Sequence, residues 1–415
     1  MSYGNPPERT EIAIGAARAW EQEVGIAGRP KIGPLTSFRF FAAIGVVMCH
    51  FLTGPDSGFG QDSRFHLVAT YGSMGVSFFF ILSGYILTYN YAGTPERSQS
   101  INVRSFWWKR FARVYPLYLF ALLIDIPINT AHSIAVHGAY GAAIRLGPTF
   151  LTNALLLQAW CSPFFGGWNP PGWTLSAEAF FYFGFPSLAR RSAWIHRGGW
   201  KTAIAKSAGL LFLGAAVLGV ADWWAAQLTA KAIQSPNLIY FLQRNPLLNT
   251  ALFAMGMILC LAEQRIRRQG ARASEWLNAI CGIGVVAGFA DIALNHAFTR
   301  GPRTFFGCLF FCALIALGSA GGPVWFLKVL SWNPLVLLGE ASYAVYLLQF
   351  PLFDYSKHLW TAAGLGKIDP SAQSNLPFYL VYMTVLIGVS VLVFKALEQP
   401  ARSFLQKHKP WSGRL

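Results

Sequence analysis

Apolar and polar residues fall along this chain in long blocks. A helix needs about 20 predominantly apolar residues to cross a bilayer. Runs of that kind predict spans at 37–55, 71–91, 112–130, 172–189, 206–225, 247–263, 275–294, 303–320, 333–353 and 377–397. A further apolar stretch, 148–160, is too short to cross. The predicted fold class is all-α, a polytopic integral membrane helical bundle of about ten transmembrane helices, with no internal repeat.

The polar blocks predict the orientation. Basic clusters lie at Arg97 to Arg113, Arg190 to Lys206, Glu263 to Arg272 and after Lys395. Loops rich in lysine and arginine stay in the cytoplasm. Ten spans with both termini cytoplasmic put every cluster on that side. A crossing at 148–160 would strand Arg190, Arg191, Arg197, Lys201 and Lys206 outside. That stretch is therefore expected to be an extra interfacial or re-entrant helix. Residues 1–34 read as a cytoplasmic lead-in, 35–400 as the transmembrane domain and 401–415 as a cytoplasmic tail. No short apolar core of a cleaved signal peptide precedes the first span.

Composition agrees with a bilayer. The chain is 54% hydrophobic and 12% charged, where soluble domains carry about 25% charge. Its net charge of +16 sits in the short loops, a pattern of membrane orientation rather than nucleic-acid contact. Six cysteines lack zinc spacing, so no metal is expected.

A charged side chain in hydrocarbon costs roughly 2.5–3.5 kcal/mol on insertion scales. The few polar residues inside spans are therefore the functional candidates. His50 lies late in the first span, and Arg39 opens it eleven residues earlier, about 16 Å away along a helix. His50 reads either as an interfacial histidine or as a base. Arg39 reads as a snorkelling anchor or a working cation. Glu178 follows Trp173, taken as an outer-interface residue, and so lies roughly 8 Å below the mouth. His50 lies at a similar depth, where a carboxylate can orient it. Gln349 sits near the outer end of its span, with Ser342, Tyr343 and Tyr346 deeper; hydrogen-bonded helix packing is the plainer reading of the tyrosines. Lys109, Arg110 and Arg113 open the third span. Arg110 and Arg113, three apart, can share a helix face and grip a phosphate, or simply mark the inner side. Gly75, Ser83 and Gly84 allow close approach of a helix or a ligand.

In order, these segments resemble the acyltransferase family 3 membrane O-acyltransferases. The resemblance rests on Arg39 and His50, G-V-S-F-F-F-I-L-S-G with Ser83 and Gly84, R-F-A-R from Arg110 to Arg113, and W-T-L-S-A-E-A-F-F-Y with Trp173, Ser176 and Glu178. It continues through S-Y-A-V-Y-L-L-Q-F-P with Tyr343, Tyr346 and Gln349, and a closing L-E-Q-P-A-R from Leu397 to Arg402. It covers residues 35–405.

The resemblance implies transfer of an acyl group, commonly acetyl, from cytoplasmic acyl-CoA to a hydroxyl of an extracytoplasmic glycan or glycoconjugate. Family acceptors include lipopolysaccharide, exopolysaccharide, Nod factors, peptidoglycan and some macrolides. It implies the base role for His50, binding of the acyl-CoA phosphates by Arg110 and Arg113, and a requirement for Arg39, which is grouped here with the acyl-CoA-binding residues; Glu178 as the partner of His50 is the expectation from their similar depth. It further implies a bacterial inner membrane home, and glycan-assembly proteins as partners. One position departs: Gln349 stands where the family usually has histidine. Glutamine hydrogen-bonds but carries no proton at useful pH, so either the position serves positioning, the favoured reading, or this chain leans more heavily on His50 and Glu178. The rival reading is a transporter or flippase for a lipid-linked or small anionic solute, which the missing repeat disfavours.

Overall fold

A computed structural model describes residues 31–52, 69–161, 168–192, 200–230, 236–294, 305–366, 368 and 376–410. Among them all regular structure is helical. The long helices are α1 (Gly33–Leu52), α2 (Gly75–Tyr91), α3 (Val103–Ala154), α4 (Trp173–Ser192), α5 (Trp200–Ala230) and α6 (Pro246–Arg267). They continue with α7 (Ala271–Leu294), α8 (Phe305–Ala316), α9 (Asn333–Ala362) and α10 (Leu376–Val393). A π-turn, Phe394–Glu398, joins α10 to α11 (Gln399–Lys407).

Eight described helices are long and apolar enough to cross a membrane, or nine if the bent pair Phe306–Ser319 and Val324–Leu330 is one span. The protein is thus a multi-pass helical membrane bundle. The predicted span 172–189 forms α4 but is not among those helices. Its apolar run is broken by Glu178 and ends on Arg190 and Arg191. Outward faces are apolar, as on α7, where Trp276, Ile280, Ile283 and Val286 are exposed. Such faces suit lipid rather than water.

The expected helix at 148–160 takes a different form. Helix α3 breaks at Gly138, whose φ of 69° and ψ of 169° are readily adopted only without a Cβ. The second arm runs back beside the first. The hydroxyl of Tyr115 donates to Ala154 O at 3.1 Å, and that of Tyr118 to Asn153 O at 2.8 Å. The returning arm thus begins soon after Gly138 and ends at Ala154, and turns occupy 155–160. It is re-entrant, with boundaries shifted towards the N-terminus.

Two cores hold the bundle. One joins α2, α4, α6 and α8 through Phe80, Ile81, Phe181, Phe185, Phe253 and Ile315. The other joins α1, α3, α9 and α10 through Val46, Leu117, Val345, Leu347 and Tyr382. Helices α2 and α6 meet backbone to backbone. A Cβ on Gly84 would lie 1.9 Å from Phe253 O, and one on Gly256 would lie 1.8 Å from Ile81 O. Close packing is therefore the role of Gly84, while its neighbour Ser83 faces a cavity.

Buried charge near the end of α6 is fully engaged. Glu263, 3% exposed, accepts from Tyr85 at 2.8 Å and from Arg267 at 2.8 Å, and also from Ser319. Ser319 reaches it from the π-turn Leu317–Gly321. Partners of this kind make buried charge tolerable.

Candidate active site

A cavity of about 270 Å³ lies among α1, α2, α3, α4, α9 and the π-turn before α11. Its lining carries five cations, Lys31, Arg39, Arg110, Arg113 and Arg402, against three carboxylates, Glu178, Glu340 and Glu398. Lys31 pairs with Glu340 at 2.7 Å. Glu178 accepts a 2.8 Å hydrogen bond from Tyr182. Arg39 lies within electrostatic reach of Arg113, Glu398 and Glu178. Arg110 is 5% exposed, its guanidinium 5.9 Å from the Tyr91 ring centre and 5.8 Å from that of Phe106. Its Nε has no hydrogen-bond partner. A buried guanidinium with an unfilled donor, in a cavity with surplus positive charge, is suited to an anionic ligand.

His50 occupies the far end of α1. Eleven residues advance a helix by three turns plus about 20°, so His50 continues the Arg39 stripe through Ala43 and Val46 at roughly 16 Å along the axis. The Nδ1 of His50 lies 2.8 Å from Gln349 Oε1. Gln349 is fully buried, and its Nε2 donates to Tyr346 O at 2.7 Å. Because the amide nitrogen is spent on that carbonyl, the amide oxygen faces His50 and must accept. The neutral imidazole therefore donates from Nδ1, which leaves Nε2 with the lone pair. The Tyr382 hydroxyl donates to Gln349 O at 2.8 Å and helps fix this turn of α9. The ring of Phe350 lies 5.2 Å from that of His50.

His50 is not among the described residues lining the cavity, whereas Tyr346 and Phe79 are, their rings 6.0 Å apart. One turn of α9 separates Tyr346 from Gln349. The Tyr346 hydroxyl reaches Pro171 O at 3.4 Å, and that of Tyr343 donates to Val114 O at 2.8 Å. Both tyrosines line the cavity wall.

The profile of the acyltransferase domain, acyltransferase family 3, matches residues 35–395. The chain belongs to this family. It is 28% identical over 404 residues to the acyltransferase MdmB of Streptomyces mycarofaciens, covering 92% of this chain and 94% of that one. It is 22% identical to the O-acetyltransferase OatA of Staphylococcus aureus over 90% of its own length, spanning 59% of that relative. It is 23% identical to the peptidoglycan O-acetyltransferase OatA of Listeria monocytogenes over 80% of its length, spanning 51% of that relative. No solved structure matches.

In this acyltransferase the expected His50–Glu178 pair is not formed. The re-entrant arm brings the chain back inside the bundle before α4 begins: Asn169 Nδ2 donates to Leu347 O at 2.8 Å, and Gln158 Nε2 donates to Gly172 O at 2.7 Å. Trp173 therefore starts α4 at the level of Tyr346, within the bundle. Glu178 lies deeper still, among the arginines. Gln349 takes the place beside His50 expected of Glu178. Ser176 donates to Leu156 O at 2.5 Å and pins the turn after the returning arm.

Four further residues belong to this region. Tyr182 stands four residues after Glu178 on α4, which was a readable signal. Glu398 and Arg402 lie in the closing L-E-Q-P-A-R block, and the π-turn aims Glu398 into the cavity. Arg244 ends the short helix Pro236–Arg244 with its guanidinium 5.7 Å from the Trp173 ring and within electrostatic reach of His50. Nothing in its local sequence distinguishes Arg244 from a loop cation.

Proposed function

We propose that this acyltransferase moves an acyl group, acetyl by analogy with the O-acetyltransferase relatives, from a CoA thioester to a hydroxyl of a glycan or glycoconjugate. The supporting observation is the division of labour along α1. Arg39 faces a cavity with surplus positive charge and buried Arg110, while His50, on the same stripe, is oriented with a free Nε2 lone pair. The basic loops favour a cytoplasmic Arg110 end with both termini inside and an extracytoplasmic His50 end; residence in a bacterial inner membrane is proposed by analogy with the bacterial relatives.

Arg110 and Arg113 hold the donor's phosphates, and Arg39 adds positive charge deeper in the cavity. Glu178 with Tyr182 balances these guanidiniums. The thioester arm runs towards Tyr346. His50 Nε2 takes the proton of the acceptor hydroxyl as its oxygen attacks the thioester carbonyl. The carbon–sulfur bond breaks, and the imidazolium returns its proton to the departing thiolate. A general base of this kind contributes about 10²–10⁴-fold.

Purified protein in proteoliposomes, given labelled acetyl-CoA and bacterial surface glycans as acceptors, tests this. Label should enter the acceptor as CoA is released one for one. Movement of a solute with no label transferred would instead favour a transporter.

A further inference from the structure

A second cavity, of about 450 Å³, lies on another side of α1, walled by α1, the start of α2, α7 and α8. Phe38, Phe41, Ala42 and Gly45 supply the α1 wall, about one helical step round from the Arg39–His50 stripe. Apart from Tyr71, the described lining is apolar except at one point. Asp291 of α7 faces it at 3% exposure, and neither carboxylate oxygen has a hydrogen-bond partner. Two other buried carboxylates are engaged: Glu263 accepts from three side chains, and Asp125 accepts from Asn129 at 2.6 Å and from the Asn169 N–H at 3.1 Å. Glu398, whose Oε2 has no hydrogen-bond partner, lies instead among the cations of the first cavity. A buried carboxylate with no partner is costly, and a bound donor removes that cost.

We propose that this cavity is a binding site for a lipophilic ammonium, a compact apolar body bearing one protonated amine, with Asp291 as its counter-ion. The volume lies in the range of small-molecule sites, which combine apolar walls with a few placed polar groups. No lysine or arginine is among the described lining residues. A phospholipid headgroup would therefore leave its phosphate unpaired, whereas a lone amine leaves nothing unpaired. The ligand rests on the helix that carries Arg39 and His50, away from the donor cavity.

The test uses adamantan-1-amine, with adamantan-1-ol as an uncharged control of the same shape. The amine should raise the thermal unfolding midpoint of the purified full chain saturably. Asp291→Asn should weaken its half-saturation by about tenfold or more, and the alcohol should not distinguish the two proteins. In the unsubstituted protein, dicyclohexylcarbodiimide should label Asp291, as mapped by mass spectrometry, and the amine but not the alcohol should suppress that labelling severalfold. Equal response to amine and alcohol, an unaltered midpoint shift in Asp291→Asn, or absence of amine-protected labelling overturns the assignment. None of these readouts depends on acyl transfer.

Discussion

His50 and Gln349 meet at 2.8 Å across α1 and α9, and the bond fixes which imidazole nitrogen is basic. The amide nitrogen of Gln349 is committed to Tyr346 O, so the oxygen side faces the ring. A glutamine thus orients the histidine without carrying a proton, and the departure from the usual family histidine is chemically coherent.

Replacing Gln349 with Leu removes that orienting acceptor from a fully buried position. A lost hydrogen bond of this kind costs about 1–3 kcal/mol, so transfer should slow roughly 10- to 100-fold. Gln349→His, which can still accept from Nδ1–H, should restore most of the rate. Initial rates at saturating acyl-CoA check this, and equal rates for Gln349→Leu and the unsubstituted protein would remove the orienting role.

Arg110 and Arg113 should act on donor affinity rather than on chemistry. Hydrogen bonds to charged groups contribute about 1.5–3 kcal/mol, so each alanine substitution should raise the KM for acyl-CoA roughly 10- to 100-fold. Arg110→Lys should not recover it fully, because an ammonium lacks the planar fork. Steady-state titration with acyl-CoA distinguishes this from a fall in kcat.

Gly84→Val should unfold or loosen the bundle without touching the chemistry. Its Cβ would meet Phe253 O at 1.9 Å, and helix backbone cannot yield as a side chain does. Overpacking typically costs about 1–3 kcal/mol. Gly209→Ala, whose Cβ meets nothing within 4 Å, serves as the control. Fluorescence-detected gel filtration after heating should show a lower midpoint for Gly84→Val alone.

Much of this architecture could be read from the chain, because apolar runs of span length leave few alternatives. Arg39, His50 and the Arg110–Arg113 pair were legible as polar residues in costly places. The depth of Glu178 was not. It depends on Gly138, which folds a helix back through 139–154, and the mixed Ala, Gly and His composition around that turn carries no clear apolar signal. The start of α4 is consequently packed beside Tyr346, and Glu178 falls among the arginines rather than beside His50. Glu398 was hidden for another reason: a π-turn shifts the helical phase at Phe394–Glu398 and points it inward. Arg244 reaches the His50 region through tertiary packing alone.

The most direct measurement is single-turnover transfer of labelled acetyl from acetyl-CoA by His50→Ala, alongside equilibrium binding of the same donor. Transfer should fall by about 10²–10⁴-fold, with donor affinity unchanged because Arg39, Arg110 and Arg113 of the donor cavity remain. Transfer at the unsubstituted rate, or a loss explained wholly by weaker donor binding, would contradict the assignment of His50 as the base.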